Sequence, residues 1–324
     1  MKELFFSTKA GFEYVDARRL MLHTLDQRNV DDGVCSFVGP LCLDAINRHL
    51  SESRNIKLVV DLSQFGMEDV TTSRFSSELP TSTNGNNIYY VYATESDNNW
   101  SSLLEKYTTS YIVCSQISVK QYGAGEKLSE TELSAIYAEK RDLTSEIINK
   151  SWKSFGEDDN NEPIRKRLTS TPVLGEGYYD AQAILTNPYD YSHVIFSLYD
   201  LYRNVNIKSN YTIKFLAMSL RAAPLVGALS NIADLGFSII GPGVHDKIIS
   251  EYVANPLNSR VTYILVSDFV VGGTELKIAQ AFATHRQSNI ALCICLAKLL
   301  NEDEYSRGIK VKSLKNIEER KFSL

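Results

Sequence analysis

The chain has 324 residues, of which 44% are hydrophobic and 23% charged, and its formal net charge is −5 at pH 7. This length and composition are typical of a folded protein with a sizeable core and two domains. The acidic balance excludes a protein that coats nucleic acid by bulk electrostatic attraction, although it leaves room for a local basic patch. Every uninterrupted apolar segment is shorter than about 18 residues, so the sequence predicts no membrane-spanning helix and we expect a cytoplasmic protein.

The first 125 residues predict an N-terminal α/β domain, because short apolar runs alternate with helical patterns. Strands are predicted at residues 2–7, 33–38, 55–62, 88–93 and 110–116. Helices are predicted at residues 16–25, 40–50 and 100–106. Residues 72–87 are rich in Ser, Thr and Asn and are predicted to form a loop. None of these segments indicates the role of this domain.

Residues 126–170 predict a long helix followed by a linker. The segment Ser129-Glu130-Thr131-Glu132 fits an N-terminal capping box, so a helix is predicted from Ser129 to about Phe155. The acidic, turn-rich segment 156–161 follows it. We therefore place the boundary between the two halves of the chain here.

Residues 171–324 predict a second α/β domain with a mostly parallel sheet. Strands are predicted at residues 214–218, 237–240, 261–267 and 289–296. Helices are predicted at residues 224–233, 244–253 and 274–285, and the segments 180–186 and 189–202 are helical or aromatic-rich. In sheets of this kind, ligands bind at the carboxyl ends of the strands, so the loops after the strands are the first place to look for a site.

The spacing of the five cysteines and five histidines is not typical of a metal site. No Cys-x-x-C pair is present, and the histidines lack the spacing of metal ligands. Apolar neighbours surround the cysteines, so we expect buried thiols in a reducing compartment. The residues concerned are Cys35, Cys42, Cys114, Cys293, Cys295, His23, His49, His193, His245 and His285.

The most informative segment runs from Tyr263 to Glu275. An apolar strand is followed by Asp268, by the pair Gly272-Gly273 and by a helical pattern that begins at Thr274. Glycines let backbone N–H groups approach an anion closely, Thr274 can cap the helix, and a helix N-terminus attracts negative charge. The segment therefore predicts a phosphate-binding loop, with the carboxylate of Asp268 suited to accept hydrogen bonds from sugar hydroxyls.

A second segment, residues 215–227, has the same order of strand, loop of small residues and helix. Arg221 lies in this loop, and its guanidinium group is a forked donor that suits phosphate. A buried strand that enters a helix, with Arg221 in a structural salt bridge, explains the pattern equally well.

The order of these two loops over residues 175–318 resembles type I phosphoribosyltransferases of the orotate type. In the 5-phosphoribosyl-1-pyrophosphate (PRPP) loop of that family, an apolar strand runs into two acids, a spacer and Thr-Gly-x-Thr. This chain keeps Asp268 and Gly272-Gly273-Thr274, but it has Ser267 at the first acid and Val271 at the first threonine, and its spacer is one residue shorter. The tail at residues 308–314 also resembles the end of these enzymes. The N-terminal half carries no such resemblance.

The resemblance implies a protein that binds PRPP or a nucleotide 5′-monophosphate and transfers a phosphoribosyl group to or from a nitrogenous base. Such a protein is a glycosyltransferase for pentosyl groups, with Asp268 and Arg221 as catalytic residues. Mg²⁺ would arrive with PRPP near Asp268, with no direct protein ligand, and His245 and Lys247 would belong to a hood over the site. The residues implied in PRPP or phosphate binding are Ser219, Arg221, Ala222, Ser267, Asp268, Gly272, Gly273, Thr274 and Glu275.

A different class of function remains open at this point. Ser267, Val271 and the large N-terminal half also fit a non-catalytic sensor or assembly component that kept the fold and lost turnover, for example in a bacterial antiviral system. Both hypotheses expect a small phosphoribosyl ligand and no membrane. A protein partner or a second copy of the chain is also compatible with them.

Overall fold

The computed structural model describes two compact units, Met1–Thr144 with Pro188–His193 and Ser145–Asn187 with Val194–Leu324. The sequence-based division at residues 1–125, 126–170 and 171–324 stays a prediction. Within the described part of the chain, no helix is long and apolar enough to cross a membrane. The described residues are 5–7, 11–20, 40–63, 85–93, 110–114, 119–123, 126–168, 173–219, 221–240, 259–299, 305–306, 308–317 and 322–323.

The first unit is built on a six-stranded sheet whose strands follow one another in chain order. Strands β2 to β5 are parallel, and β1 and β6 pair antiparallel at the two edges. The strands are β1 (Phe6–Ser7), β2 (Glu13–Asp16), β3 (Lys57–Asp61), β4 (Asn87–Ala93), β5 (Ser110–Cys114) and β6 (Val119–Gly123). The helices are α1 (Pro40–Glu52) and the first part of α2 (Glu130–Lys150), with a short 3₁₀ turn at Ala17–Leu20.

Most of the elements predicted for this unit are confirmed where the structure describes them. The helix at 40–50 and the strands at 55–62, 88–93 and 110–116 are present, and apolar side chains of the three strands are buried in one core. The helix predicted at 16–25 is wrong at its start, since Asp16 ends β2 and a 3₁₀ turn follows. The elements predicted at 33–38 and 100–106 and most of the loop at 72–87 lie outside the described residues.

A network of buried charged and polar side chains lies at the carboxyl ends of β2 and β3. Asp16 and Asp61, the last residues of these strands, are in register, and both are buried. Asp16 accepts hydrogen bonds from Nε of Arg18 at 3.0 Å and from Nη2 of Arg18 at 2.5 Å. Asp61 accepts from the hydroxyl of Tyr14 at 2.5 Å and from the backbone N–H of Ser63 at 2.8 Å. The two carboxylates are therefore paired within the unit, which is what burial of charge requires.

The capping box predicted at the start of α2 is confirmed. The backbone N–H of Ser129 donates to Oε2 of Glu132 at 2.6 Å, and the backbone N–H of Glu132 donates to Oγ of Ser129 at 3.2 Å. The helix ends at Lys150, not near Phe155, because Trp152–Ser154 forms strand β7. The N–H groups of Ser129 and Glu132 are thus satisfied by side chains, which fixes the start of α2.

We expect Ser129→Ala to lower the free energy of unfolding by about 1 kcal/mol, since it removes the hydroxyl that accepts from the N–H of Glu132. Ser134→Ala is the matched control, because Ser134 is an exposed residue inside the same helix. Its effect should stay within about 0.5 kcal/mol. Urea unfolding of both variants measures the difference, and equal stabilities would contradict a capping role for Ser129.

The second unit contains a six-stranded sheet with the strand order β12-β11-β13-β14-β16-β15. Five strands are parallel, and the short edge strand β15 pairs antiparallel with β16. The strands are β11 (Thr212–Ala217), β12 (Phe237–Ile239), β13 (Val261–Val271), β14 (Asn289–Leu299), β15 (Tyr305–Ser306) and β16 (Ile309–Asn316). The helices are α3 (Ala181–Leu185), α4 (Pro188–Arg203), α5 (Ala223–Ala233) and α6 (Thr274–His285), of which the first residues of α4 belong to the other unit.

Short strands complete the second unit. Strand β10 (Gly177–Tyr179) pairs with β7, and β9 (Leu174–Gly175) lies between β8 (Lys166–Arg167) and β17 (Phe322–Ser323). None of these short strands follows from the sequence pattern, because each has only two or three residues. The predicted α/β class, with a mostly parallel sheet flanked by helices, is confirmed by the large sheet.

The core of the large sheet explains why its central strands read as continuous apolar runs. Parallel strands covered by helices are buried on both faces, so alternation is not required. One core cluster combines residues of β11, β13, β14 and β16 with residues of α6, among them Leu216, Leu265, Leu276, Ala279 and Val311. Strand β13 continues to Val271, four residues beyond the predicted end at Ser267, because Val270 and Val271 are also buried.

Candidate functional site

Two loops of the second unit follow the carboxyl ends of neighbouring parallel strands, and β13 extends five residues beyond the level at which β11 ends. Strands β11 and β13 are neighbours, and Ala217, the last residue of β11, is in register with Val266 of β13. The loop from Met218 to Ala222 therefore begins beside Ser267 and Asp268. This is the edge at which sheets of this class bind ligands.

The glycine pair forms the turn between β13 and α6. Gly272 and Gly273 have φ angles of 64° and 68°, which lie in the left-handed region that favours glycine. Helix α6 begins at Thr274, and its N-cap is Gly273, which makes no side-chain capping hydrogen bond. The prediction that Thr274 caps the helix is thus wrong, because Thr274 is already helical. The first-turn N–H groups of α6 have no capping side chain, which leaves them suited to an anion.

Asp268 lies within β13 and not in the loop where the sequence places it. One carboxylate oxygen, Oδ1, accepts from the backbone N–H of Phe269 at 2.8 Å. The neighbouring Ser267 is buried, and its hydroxyl donates to Oε2 of Glu275 at 3.3 Å. Glu275 is partly buried in the first turn of α6. The structure therefore brings two carboxyl groups, one from a strand and one from a helix, to the same end of β13.

The electrostatic environment raises the pKa of both carboxyl groups. Burial raises the pKa of Asp268, while the hydrogen bond from Phe269 and the charge of Arg221 act against the rise. Burial also raises the pKa of Glu275 to about 7; Asp268 adds to the rise, whereas the hydroxyl of Ser267 and the charge of Arg221 oppose it. A carboxyl group with a pKa near neutrality can exchange a proton at physiological pH, so Glu275 can be neutral or charged there.

The loop after β11 brings Arg221 into electrostatic reach of both carboxyl groups. Arg221 is exposed, and its charge lowers the pKa of Asp268 and of Glu275 against the effect of burial. Ser219 is partly buried, and Ala222 is the buried N-cap of α5, with no side-chain capping hydrogen bond. A second uncapped helix N-terminus therefore begins beside Arg221.

The sequence did not single out Asp180 and Phe269, which the structure adds to this region. Asp180 caps α3 by accepting from the N–H of Gln182 at 3.1 Å, and its charge contributes to the raised pKa of Asp268. The ring of Phe269 contacts the ring of Tyr179 edge-on, with 5.4 Å between the centroids. An Asp directly before a helical segment is a sequence signal for a helix cap. The contact between Tyr179 and Phe269 has no local signal, because these residues are about 90 positions apart in the chain.

The hood and the metal of the predicted site have no counterpart among the described side chains. His245 and Lys247, the predicted hood, lie outside the described residues. In the described part of the chain, no group of three or more His, Cys, Asp or Glu side chains could hold a metal ion. Mg²⁺ usually keeps waters and substrate phosphate oxygens as ligands and takes only one or two carboxylates from a protein.

Comparisons with solved structures find similarity to phosphoribosyltransferases over about half of the chain. Adenine phosphoribosyltransferase from Thermoanaerobacter pseudethanolicus is 14% identical, with a TM-score of 0.40, over 53% of this chain and 99% of that chain. Orotate phosphoribosyltransferase from Aeropyrum pernix is 13% identical, with a TM-score of 0.39, over 54% of this chain and 93% of that chain.

A third similar structure is the adenine phosphoribosyltransferase from Trypanosoma brucei, determined in complex with AMP, pyrophosphate and ribose-5-phosphate. It is 11% identical, with a TM-score of 0.38, over 53% of this chain and 79% of that chain. No protein-family model matches the chain, and no curated protein matches its sequence.

Proposed function

We propose that the second unit binds PRPP or a nucleotide 5′-monophosphate and transfers the phosphoribosyl group to or from a nitrogenous base. The observation that carries this proposal is the left-handed pair Gly272-Gly273 at the end of a central parallel strand, directly before the uncapped N-terminus of α6. Backbone N–H groups and the helix dipole at such a position favour a phosphate group. Asp268 and Arg221 supply the two further groups that a phosphoribosyl ligand needs.

The proposed roles follow from the chemistry of each group. The 5′-phosphate binds to the N–H groups of the residues from Gly272 to Glu275, and the carboxylate of Asp268 accepts hydrogen bonds from ribose hydroxyls. Arg221, with Ser219 and Ala222 beside it, faces the pyrophosphate, whose departing charge its guanidinium group stabilises.

Catalysis in this proposal rests on positioning and on charge stabilisation around the reacting carbon of the ribose. Mg²⁺ would enter with PRPP as a complex of its pyrophosphate oxygens and would neutralise part of the charge of the leaving group. No residue of the chain is assigned as its direct ligand.

A thermal-shift experiment tests the proposal. We expect Mg²⁺-PRPP at about a hundred times its Kd to raise the melting temperature, since binding of that strength stabilises the folded state by about 2.7 kcal/mol. Asp268→Asn should remove most of the rise, because the amide replaces one ribose-binding oxygen by a donor. Asp159→Asn, in an exposed turn of the same unit, is the matched control and should keep the full rise. No rise with PRPP or with any nucleotide 5′-monophosphate would overturn the proposal.

A second candidate function is binding without turnover, as in a sensor or an assembly component. Two observations favour it: the hydroxyl of Ser267 is used by Glu275, and Val271 is 7% exposed within an apolar cluster. Neither position offers a charged group to a substrate. Release of pyrophosphate from PRPP in the presence of a panel of purine and pyrimidine bases separates the two candidates, since a sensor binds PRPP and releases none. The role in an antiviral system stays a prediction.

A further inference from the structure

Glu275 occupies an unusual place for an acidic residue in a phosphate-binding loop. It lies in the first turn of α6, the same turn whose uncapped N–H groups face the proposed phosphate. Its side chain turns back toward β13, where the hydroxyl of Ser267 donates to it at 3.3 Å. A carboxylate in this turn and a phosphate dianion at the same N–H groups would repel each other, because both carry negative charge in a partly buried place.

Burial and the groups that face Glu275 favour, on balance, the neutral form of its side chain. From β13, Asp268 adds negative charge, and from the loop after β11, Arg221 acts as the opposing cation. From β14, Cys293 faces it; the hydrogen bond with Cys295, together with burial, raises the pKa of the Cys293 thiol well above its usual value, so the thiol is neutral. Arg221 is exposed and is also the cation that the proposed pyrophosphate needs. The arrangement therefore leaves a neutral Glu275 as the form that is compatible with a bound phosphate.

We propose that the site binds its phosphate group together with one proton, which Glu275 carries as a neutral carboxylic acid next to the ligand. The proton comes from solvent and stays on Glu275, so no covalent bond to the ligand is formed or broken. This inference rests on the proposed function of the same loop. It identifies Glu275 as the residue that makes phosphate binding dependent on pH, in addition to its place among the predicted phosphate-binding residues.

The consequence is a loss of affinity as the pH rises. In the free protein the pKa of Glu275 is raised to about 7, chiefly by burial. Above that pH the protein must take up a proton before it binds the ligand, so the affinity falls by up to about tenfold for each pH unit. By linkage, a bound phosphate holds the proton on Glu275 more tightly.

Isothermal titration calorimetry tests the inference by measuring the affinity of the full chain for ribose 5-phosphate at several pH values. Between about pH 7.5 and 9, the phosphate of this probe is already a dianion, so its own titration contributes little. Wild-type affinity should fall about tenfold per pH unit, whereas Glu275→Gln should bind equally well across the range and about tenfold more tightly than wild type at about pH 8. Glu275→Asp keeps an ionisable carboxyl group, so its affinity should still fall with rising pH.

A second measurement covers the case in which Glu275→Gln does not fold. Wild-type titrations in two buffers of different ionisation enthalpy count the protons taken up on binding, and the expected number approaches one at about pH 8 and above. Binding without proton uptake, or a Glu275→Gln variant with the pH dependence of wild type, overturns the inference and leaves the proposed function standing. No binding of ribose 5-phosphate or PRPP at any pH overturns both.

Discussion

Replacing Asp16 with asparagine is expected to lower the free energy of unfolding by about 3–5 kcal/mol, the usual cost of breaking a buried ion pair from one side. Asp16 and Arg18 are 1% and 7% exposed, and the guanidinium group of Arg18 donates to both carboxylate oxygens. Asparagine keeps the size of the side chain but removes the charge of the carboxylate that accepts the hydrogen bonds of the Arg18 guanidinium group. Urea unfolding at neutral pH measures the loss.

The control for this variant is an exposed ion pair. Glu146 and Lys150 are 3.3 Å apart on α2, with side chains 58% and 52% exposed, so Glu146→Gln should cost less than about 1 kcal/mol. An Asp16→Asn variant as stable as the Glu146→Gln variant would contradict the account of the buried network.

The same pair predicts how stability depends on acid pH. Burial alone would raise the pKa of Asp16, but the charge of Arg18 and its hydrogen bonds outweigh burial and lower it to about 2. Because the pKa of Asp16 is lower in the folded chain than in the unfolded chain, its ionised form stabilises the folded state. This stabilisation is complete above the unfolded-state pKa, near 3.9, and is lost as the pH falls toward 2. The Asp16→Asn variant should lack this component of acid unfolding.

The second large effect has the opposite sign. Glu275→Gln is expected to raise the free energy of unfolding at about pH 8 by about 3 kcal/mol and to change it little at about pH 5. The pKa of Glu275 is raised by burial and by Asp268 to about 7, above the ordinary value of 4.5. Between these values the folded chain binds the proton more tightly than the unfolded chain does, so wild type loses stability as the pH rises through this window. Glutamine has no proton to lose there.

Chemical unfolding of wild type and variant at several pH values measures this difference. Glu157→Gln, at an exposed position of the same unit, is the control and should leave the pH dependence of wild type unchanged. A Glu275→Gln variant that is no more stable than wild type at about pH 8 would show that Glu275 is not held in the environment described here.

The framework of the second unit was predictable because its signals are local. Apolar runs of about seven residues at 261–267 and 289–296 predict buried strands, and the periodic segment from Thr274 predicts a helix. The end of β13 was not predictable, since Asp268 resembles the first residue of a loop although it lies inside the strand. Gly273 rather than Thr274 became the N-cap because the left-handed backbone of the glycine pair extends to the helix itself.

The arrangement of the site depends on contacts that no local pattern encodes. The hydrogen bond between Ser267 and Glu275 joins a strand to a helix across the loop, and Asp180 influences Asp268 from another segment of the chain. In the first unit, the segment Glu13–Asp16 is too short to stand out as a strand. No local pattern predicts the burial of Asp16 and Arg18, because charged side chains are rarely buried unless they are paired.

A crystal soaked with ribose 5-phosphate tests the central claim most directly. The account predicts a phosphate group bound to the backbone N–H groups of the residues from Gly272 to Glu275, with the ribose hydroxyls at the carboxylate of Asp268. Density for the sugar phosphate elsewhere on the protein, or no density at this loop when the ligand is present at about a hundred times its Kd in solution, would contradict it.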